Sequence, residues 1–254
     1  MFVVMEFTGF AREYNIRNIL TKFTPGTAVL EIDPLTIFED YCWDNGERVR
    51  EICKTIIATE PSQVALIGYC AGCGLAGQVA SELASAGVLV TGCALLDPVA
   101  VTRAFIYDAL GEIAESLRRI ISVEDYEALH LDSSSLCDTS RVENTLLSWT
   151  SDYASDALGV SADSEPLIEQ LAERCISWIS YLCATAWSKG EIFRSFAVFT
   201  SEEGLTQLGE SANFPDNVLR SYVTQPACLI DFGLPGQDVL AGLPALINFA
   251  ARFR

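Results

Sequence analysis

The residues with the clearest chemical potential lie in Val64-Ala-Leu-Ile-Gly-Tyr-Cys-Ala-Gly-Cys-Gly-Leu-Ala-Gly77. Gly68 and Gly72 stand two positions either side of Cys70. A nucleophile on a sharp strand-to-helix turn needs small residues at those positions, because the chain reverses too tightly for side chains. Such a turn exposes the nucleophile above a sheet. It also aims backbone N–H groups at the oxyanion of an acyl-transfer intermediate. Cys70 is the expected nucleophile, and the N–H of Ala71 one expected oxyanion donor. The second donor is expected from the loop after the first strand, Glu6-Phe7-Thr8-Gly9, at the backbone of Phe7. Asp97 follows the apolar run Ala94-Leu95-Leu96 and precedes Pro98. Catalytic groups of parallel sheets gather at the carboxyl ends of strands, so Asp97 is expected on the same sheet edge as Cys70.

These positions require a particular scaffold. Phe2 to Met5, Ala28 to Ile32, Val64 to Tyr69 and Val88 to Leu96 read as apolar strands. Arg12 to Phe23, Gly46 to Thr59 and Ala71 to Ala84 read as the helices between them. The alternation implies a mostly parallel sheet covered on both faces. From Thr102 to about Ser188 the strand rhythm stops, and segments 102–119, 141–158 and 165–187 read as helices. A helical lid over about 99–190 is expected inside one domain spanning 1–254, with Trp149, Trp178 and Trp187 among its apolar residues. Strands return at Ser195 to Phe199 and Ala227 to Asp231, and a last helix at about Val239 to Phe249.

The chain has 254 residues, of which half are hydrophobic, enough for a sizeable core. Acidic residues outnumber basic ones 34 to 16, a formal net charge of −18, which argues against nucleic acid and anionic membranes as partners. Nine scattered cysteines, mostly in apolar segments, fit reduced thiols and a cytoplasmic setting. No basic-then-apolar leader and no long uncharged apolar run is evident. No second cysteine pair or histidine accompanies Cys70-Ala-Gly-Cys73, so neither a metal site nor a bound cofactor is expected. That C-x-x-C leaves a redox reading open, and Gly72-x-Gly74-x-x-Gly77 formally matches a nucleotide-binding loop, although late in the sheet.

From Thr55 to Pro98 the chain resembles the thioesterase domains of nonribosomal peptide and polyketide assembly lines. The residues that carry the resemblance are Pro61, Val64-Ala-Leu-Ile-Gly-Tyr-Cys-Ala-Gly72, Ala80-Ser-Glu-Leu83, Ala86-Gly87 and Ala94-Leu-Leu-Asp97. The resemblance implies an α/β-hydrolase fold with a helical lid. It also implies acyl transfer, cyclisation or release of a thioester held on the phosphopantetheine arm of an acyl or peptidyl carrier protein. Members of that family mostly have serine where Cys70 stands; cysteine versions resemble assembly-line cyclases. The family's late histidine falls in a segment like Pro235-Gly-Gln-Asp238-Val, so Asp238 stands in its place, with Asp231 a second candidate.

The base is therefore open. His130, the single histidine, is one candidate, presented from a helix in the lid. A carboxylate, Asp238 or Asp97, beside a thiol that is already partly ionised is another. The alternative is a degenerate thioesterase-like protein that binds a carrier or its acyl group without turnover. Carrier proteins are commonly acidic, as this chain is, so docking would need a local basic patch, for which Arg118-Arg119 is the candidate.

Overall fold

The computed structural model describes residues 1–7, 16–38, 41–96, 98–99, 101–120, 122–131, 137–158, 165–187 and 196–199. Twelve elements are described, in the order β1 (Phe2–Met5), α1 (Ile16–Phe23), β2 (Val29–Ile32), α2 (Asn45–Ile57), β3 (Val64–Tyr69), α3 (Gly72–Ser85), β4 (Val90–Leu96), α4 (Arg103–Ser116), α5 (Val123–Leu129), α6 (Thr139–Leu158), α7 (Glu165–Trp187) and β5 (Phe196–Phe199). The expected strand at 227–231, the helix at 239–249, Asp231 and Asp238 lie outside the described residues.

The chain divides into two compact units. One is Met1–Ile37, Gly46–Ala100 and Lys189–Arg254; the other is Phe38–Asn45 and Val101–Ser188. The first contains a five-stranded sheet of order β2-β1-β3-β4-β5 with every neighbouring pair parallel. This is the α/β arrangement expected from the strand–helix alternation. Alternation along the strands sorts side chains between the two faces. Phe2 and Val4, Ala65 and Ile67, and Ala94 and Leu96 form one cluster, covered by Ile16 and Leu20 of α1. The other face carries Gly68 of β3, against which α3 packs. The Cys53 thiol donates to Val79 O at 3.8 Å, setting α2 beside α3.

In the second unit the helices are bounded by local hydrogen bonds. Thr102 caps α4 by accepting from Phe105 N–H. Its C-terminus closes at Arg118 (φ 57°), where Arg118 N–H reaches Glu115 O and Arg119 N–H reaches Ala114 O. That paired closure at a left-handed residue ends α4 before the expected 119. Of the two arginines expected to form a docking patch, Arg118 is exposed, whereas Arg119 forms an ion pair with Asp152.

Ser122 and Asp125 form a reciprocal capping box that starts α5. Backbone and side-chain hydrogen bonds from Ser122 hold the Asp125 carboxyl below its usual range. The Asp138 carboxylate accepts from Arg141 N–H, so α6 starts at Thr139 rather than 141. Trp178 stacks on Tyr181 along α7, with ring centroids 5.9 Å apart.

Candidate active site

The strand registers decide what meets at the sheet edge. Met5 pairs with Gly68 and Gly68 with Leu95, while Tyr69 pairs with Leu96. The carboxyl ends of β1, β3 and β4 are therefore level, and Glu6-Phe7 and Cys70 leave the sheet side by side. Asp97, next after Leu96 in the chain, lies outside the described residues.

Cys70 has φ 52°. Among the described non-glycine residues, Glu60, Arg118 and His130 also have positive φ, and each follows the end of a helix. There, a left-handed residue is the ordinary way to stop. Cys70 differs: it joins a strand to the helix that follows it. A cysteine gains nothing locally from this conformation, which costs about 1–2 kcal/mol for an L-residue. The surrounding structure must impose it. Cys70 N–H is held by Leu96 O at 2.9 Å, and Cys70 O accepts from Cys73 N–H at 3.1 Å. The turn is thus tied to β4 on one side and to α3 on the other. Cys70 is partly exposed, whereas Ala71 after it is buried.

The two glycines serve different contacts. A Cβ on Gly68 would stand 2.8 Å from Ala76 Cβ, 2.8 Å from Cys73 Cα and 2.9 Å from Gly72 O, so Gly68 sets the separation of β3 and α3. A Cβ on Gly72 would meet Met5 O at 3.3 Å and the Phe7 ring at 3.6 Å. Gly72 therefore admits the end of β1, and the structure brings Phe7 against the start of α3. The Phe7 side chain is buried there.

A buried carboxylate supports this approach. Glu6 is buried, its N–H donates to Ile32 O, and its Oε2 accepts from Ile16 N–H at 3.2 Å. The carboxylate caps the first turn of α1 and fixes the residue immediately before Phe7. A lone acidic residue just after an apolar strand was the available signal. Glu6→Ala leaves that N–H without its acceptor, and a loss of about 1–3 kcal/mol is expected. In thermal denaturation Glu6→Gln, which retains a carbonyl acceptor, should melt between wild type and Glu6→Ala.

His130 occupies the C-cap of α5 with φ 49°, its N–H on Glu127 O, and it is exposed. It terminates the helix rather than projecting from within it, as the sequence had suggested. Trp149 borders a shallow polar groove along α6 with Asp138, Arg141 and Asn144. Trp178 is half-buried, and the side chain of Trp187 lies outside the described residues. Of the other thiols, burial pushes Cys53 and Cys93 up to about 12, with Glu82 adding to the effect at Cys53. Burial also raises Cys183. Among the described residues no group of His, Cys, Asp and Glu is placed to hold a metal ion. No described helix is long and apolar enough to cross a membrane.

No protein-family model and no curated protein matches the chain. Among solved structures it is similar to the NocB thioesterase domain, captured as a covalent complex with a fluorophosphonate nocardicin G analog. That match has 14% identity and a TM-score of 0.50, covering 99% of this chain and 92% of that one. It is also similar to the type II thioesterase BorB from the borrelidin biosynthetic cluster, at 14% identity and a TM-score of 0.50, covering 99% and 91%. At that identity the likeness is one of fold: the chain has an α/β-hydrolase architecture.

Proposed function

We propose that this protein is a thioesterase-like acyl-transfer enzyme with Cys70 as its nucleophile. Its substrate is an acyl or peptidyl thioester on the phosphopantetheine arm of a carrier protein. The observation that carries the reading is the left-handed conformation of Cys70 between β3 and α3, since that strain has no local use. The Cys70 thiolate attacks the thioester carbonyl. The oxyanion is met by backbone N–H groups of Ala71 and Phe7, and its collapse expels the phosphopantetheine thiolate. A substrate amine, hydroxyl or carbanion, or water, then releases the acyl group from Cys70. Cyclisation, transfer and hydrolysis differ only in that second nucleophile.

In this proposal a side chain acts as the base that activates the second nucleophile, and His130, Asp97 and Asp238 are its candidates. Asparagine tolerates the left-handed backbone, so His130→Asn should preserve the α5 cap, and a fall in turnover of about 10²- to 10⁴-fold would assign the base to His130. Steady-state thioester cleavage checks this; unchanged turnover would transfer the role to Asp97 or Asp238.

The proposal as a whole is tested by mass spectrometry of the protein after exposure to a small acyl thioester of cysteamine. One acyl increment is expected, absent in Cys70→Ala. If the protein neither gains the increment nor cleaves the thioester, the enzymatic reading falls.

A further inference from the structure

We infer that Cys70 and Cys73 form an oxidisable dithiol: peroxide converts Cys70 to a sulfenic acid, and Cys73 resolves it to an internal disulfide that shields the nucleophile from irreversible oxidation. Three observations place the pair. Cys73 N–H donates to Cys70 O at 3.1 Å, closing a turn between them. A turn closed by that bond keeps its end Cα atoms within about 7 Å, and a disulfide needs Cα atoms roughly 4.4–6.8 Å apart. Leu96 O accepts both Cys70 N–H, at 2.9 Å, and the Cys73 thiol, at 3.4 Å, so one carbonyl gathers both residues.

Exposure assigns the roles. Cys70 is partly exposed, whereas Cys73 is fully buried. Peroxide reaches Cys70, and Cys73 is supplied from within. The Cys70 thiolate displaces hydroxide from hydrogen peroxide, which takes up a proton to become water. Cys73 sulfur then attacks the Cys70 sulfenic sulfur, its proton leaving with the hydroxyl as a second water. Two thiols are oxidised and one peroxide is reduced. The Cys73 hydrogen bond to Leu96 O is given up, since that thiol proton departs. Cys93, three residues before Leu96 in β4, pairs with Leu66 and so lies back from the strand end that holds Cys70.

The intact protein is treated with hydrogen peroxide, alkylated and mapped by tandem mass spectrometry. The expected product is about 2 Da lighter, with its bridge between Cys70 and Cys73, and dithiothreitol reverses it. Cys73→Ser keeps a hydroxyl to bond Leu96 O but cannot form the bridge. Its Cys70 should proceed to sulfinic acid, about 32 Da heavier, which dithiothreitol does not reverse. Direct conversion of wild-type Cys70 to sulfinic acid, or a bridge joining Cys70 to any other cysteine, overturns the inference, and either is read from wild type alone if the variant does not fold. The inference goes beyond the acyl-transfer proposal, and because these masses require no turnover, failure of one leaves the other standing.

Discussion

Cys70→Ala is expected to lower thioester turnover by on the order of 10³-fold or more, about 4 kcal/mol of transition-state stabilisation. The melting temperature should change little. Alanine keeps a Cβ and therefore the same backbone strain at φ 52°, and the turn's hydrogen bonds to Leu96 O and Cys73 N–H are main-chain at the Cys70 end. The substitution thus separates chemistry from folding. Cys70→Ser sharpens the reading: a hydroxyl does not ionise near neutral pH, so serine acts only where a well-placed base takes its proton. A loss close to that of alanine would show that the thiol's own acidity drives the first step. Cys70→Gly, equally inactive, should melt higher, because glycine relieves the left-handed strain. Stopped assays with an acyl thioester and thermal melts by circular dichroism check all three. Turnover of Cys70→Ala within tenfold of wild type would remove Cys70 as nucleophile.

Gly68→Ala carries the second large expected effect, and here stability and activity should fall together. Of the three atoms that the new methyl would meet below 3.0 Å, Cys73 Cα and Gly72 O belong to the backbone of the first turn of α3. No rotamer change removes them, so α3 must move away from β3. Overpacking of this kind costs about 1–3 kcal/mol, and a domain of this size loses roughly 2–4 °C of melting temperature per kcal/mol. The displaced turn carries Cys70 with it, and misplacement of a reacting group by an ångström costs about 10²-fold in rate. Gly26→Ala is the control. Gly26 has φ 85° with nothing within 4 Å of an added Cβ, so it should lose stability through backbone strain alone and leave turnover intact. Gly68→Ala melting like wild type would mean that the helix is not seated on β3 as described.

Much of this was legible in the residues. Val64 to Tyr69 and the helix at 165–187 have the expected bounds, because an uninterrupted apolar run and a long helical periodicity are local signals. The capping box that starts α5 was also written locally, in Ser122-Val-Glu-Asp125, but its seven residues are too few for periodicity to show. His130 illustrates the limit. Its neighbours suggested a helix passing through it, and the structure ends the helix at Leu129 with His130 as the left-handed cap. Glu6 starts a loop, and nothing adjacent in the chain indicates that Ile16, ten residues later, offers it an N–H.

What the sequence determined by itself was the alternation of strands and helices from β1 to β4, the small residues around Cys70 and the chemical types available near it. These depend on near neighbours: side-chain periodicity, turn propensity and the space that two glycines leave open. The tertiary structure decided the rest: the positive φ of Cys70, the sharing of Leu96 O by Cys70 and Cys73, and the approach of Phe7 to Gly72. Each arises from strands distant in sequence whose registers bring their ends level, and register is set by packing across the whole sheet rather than by any one segment.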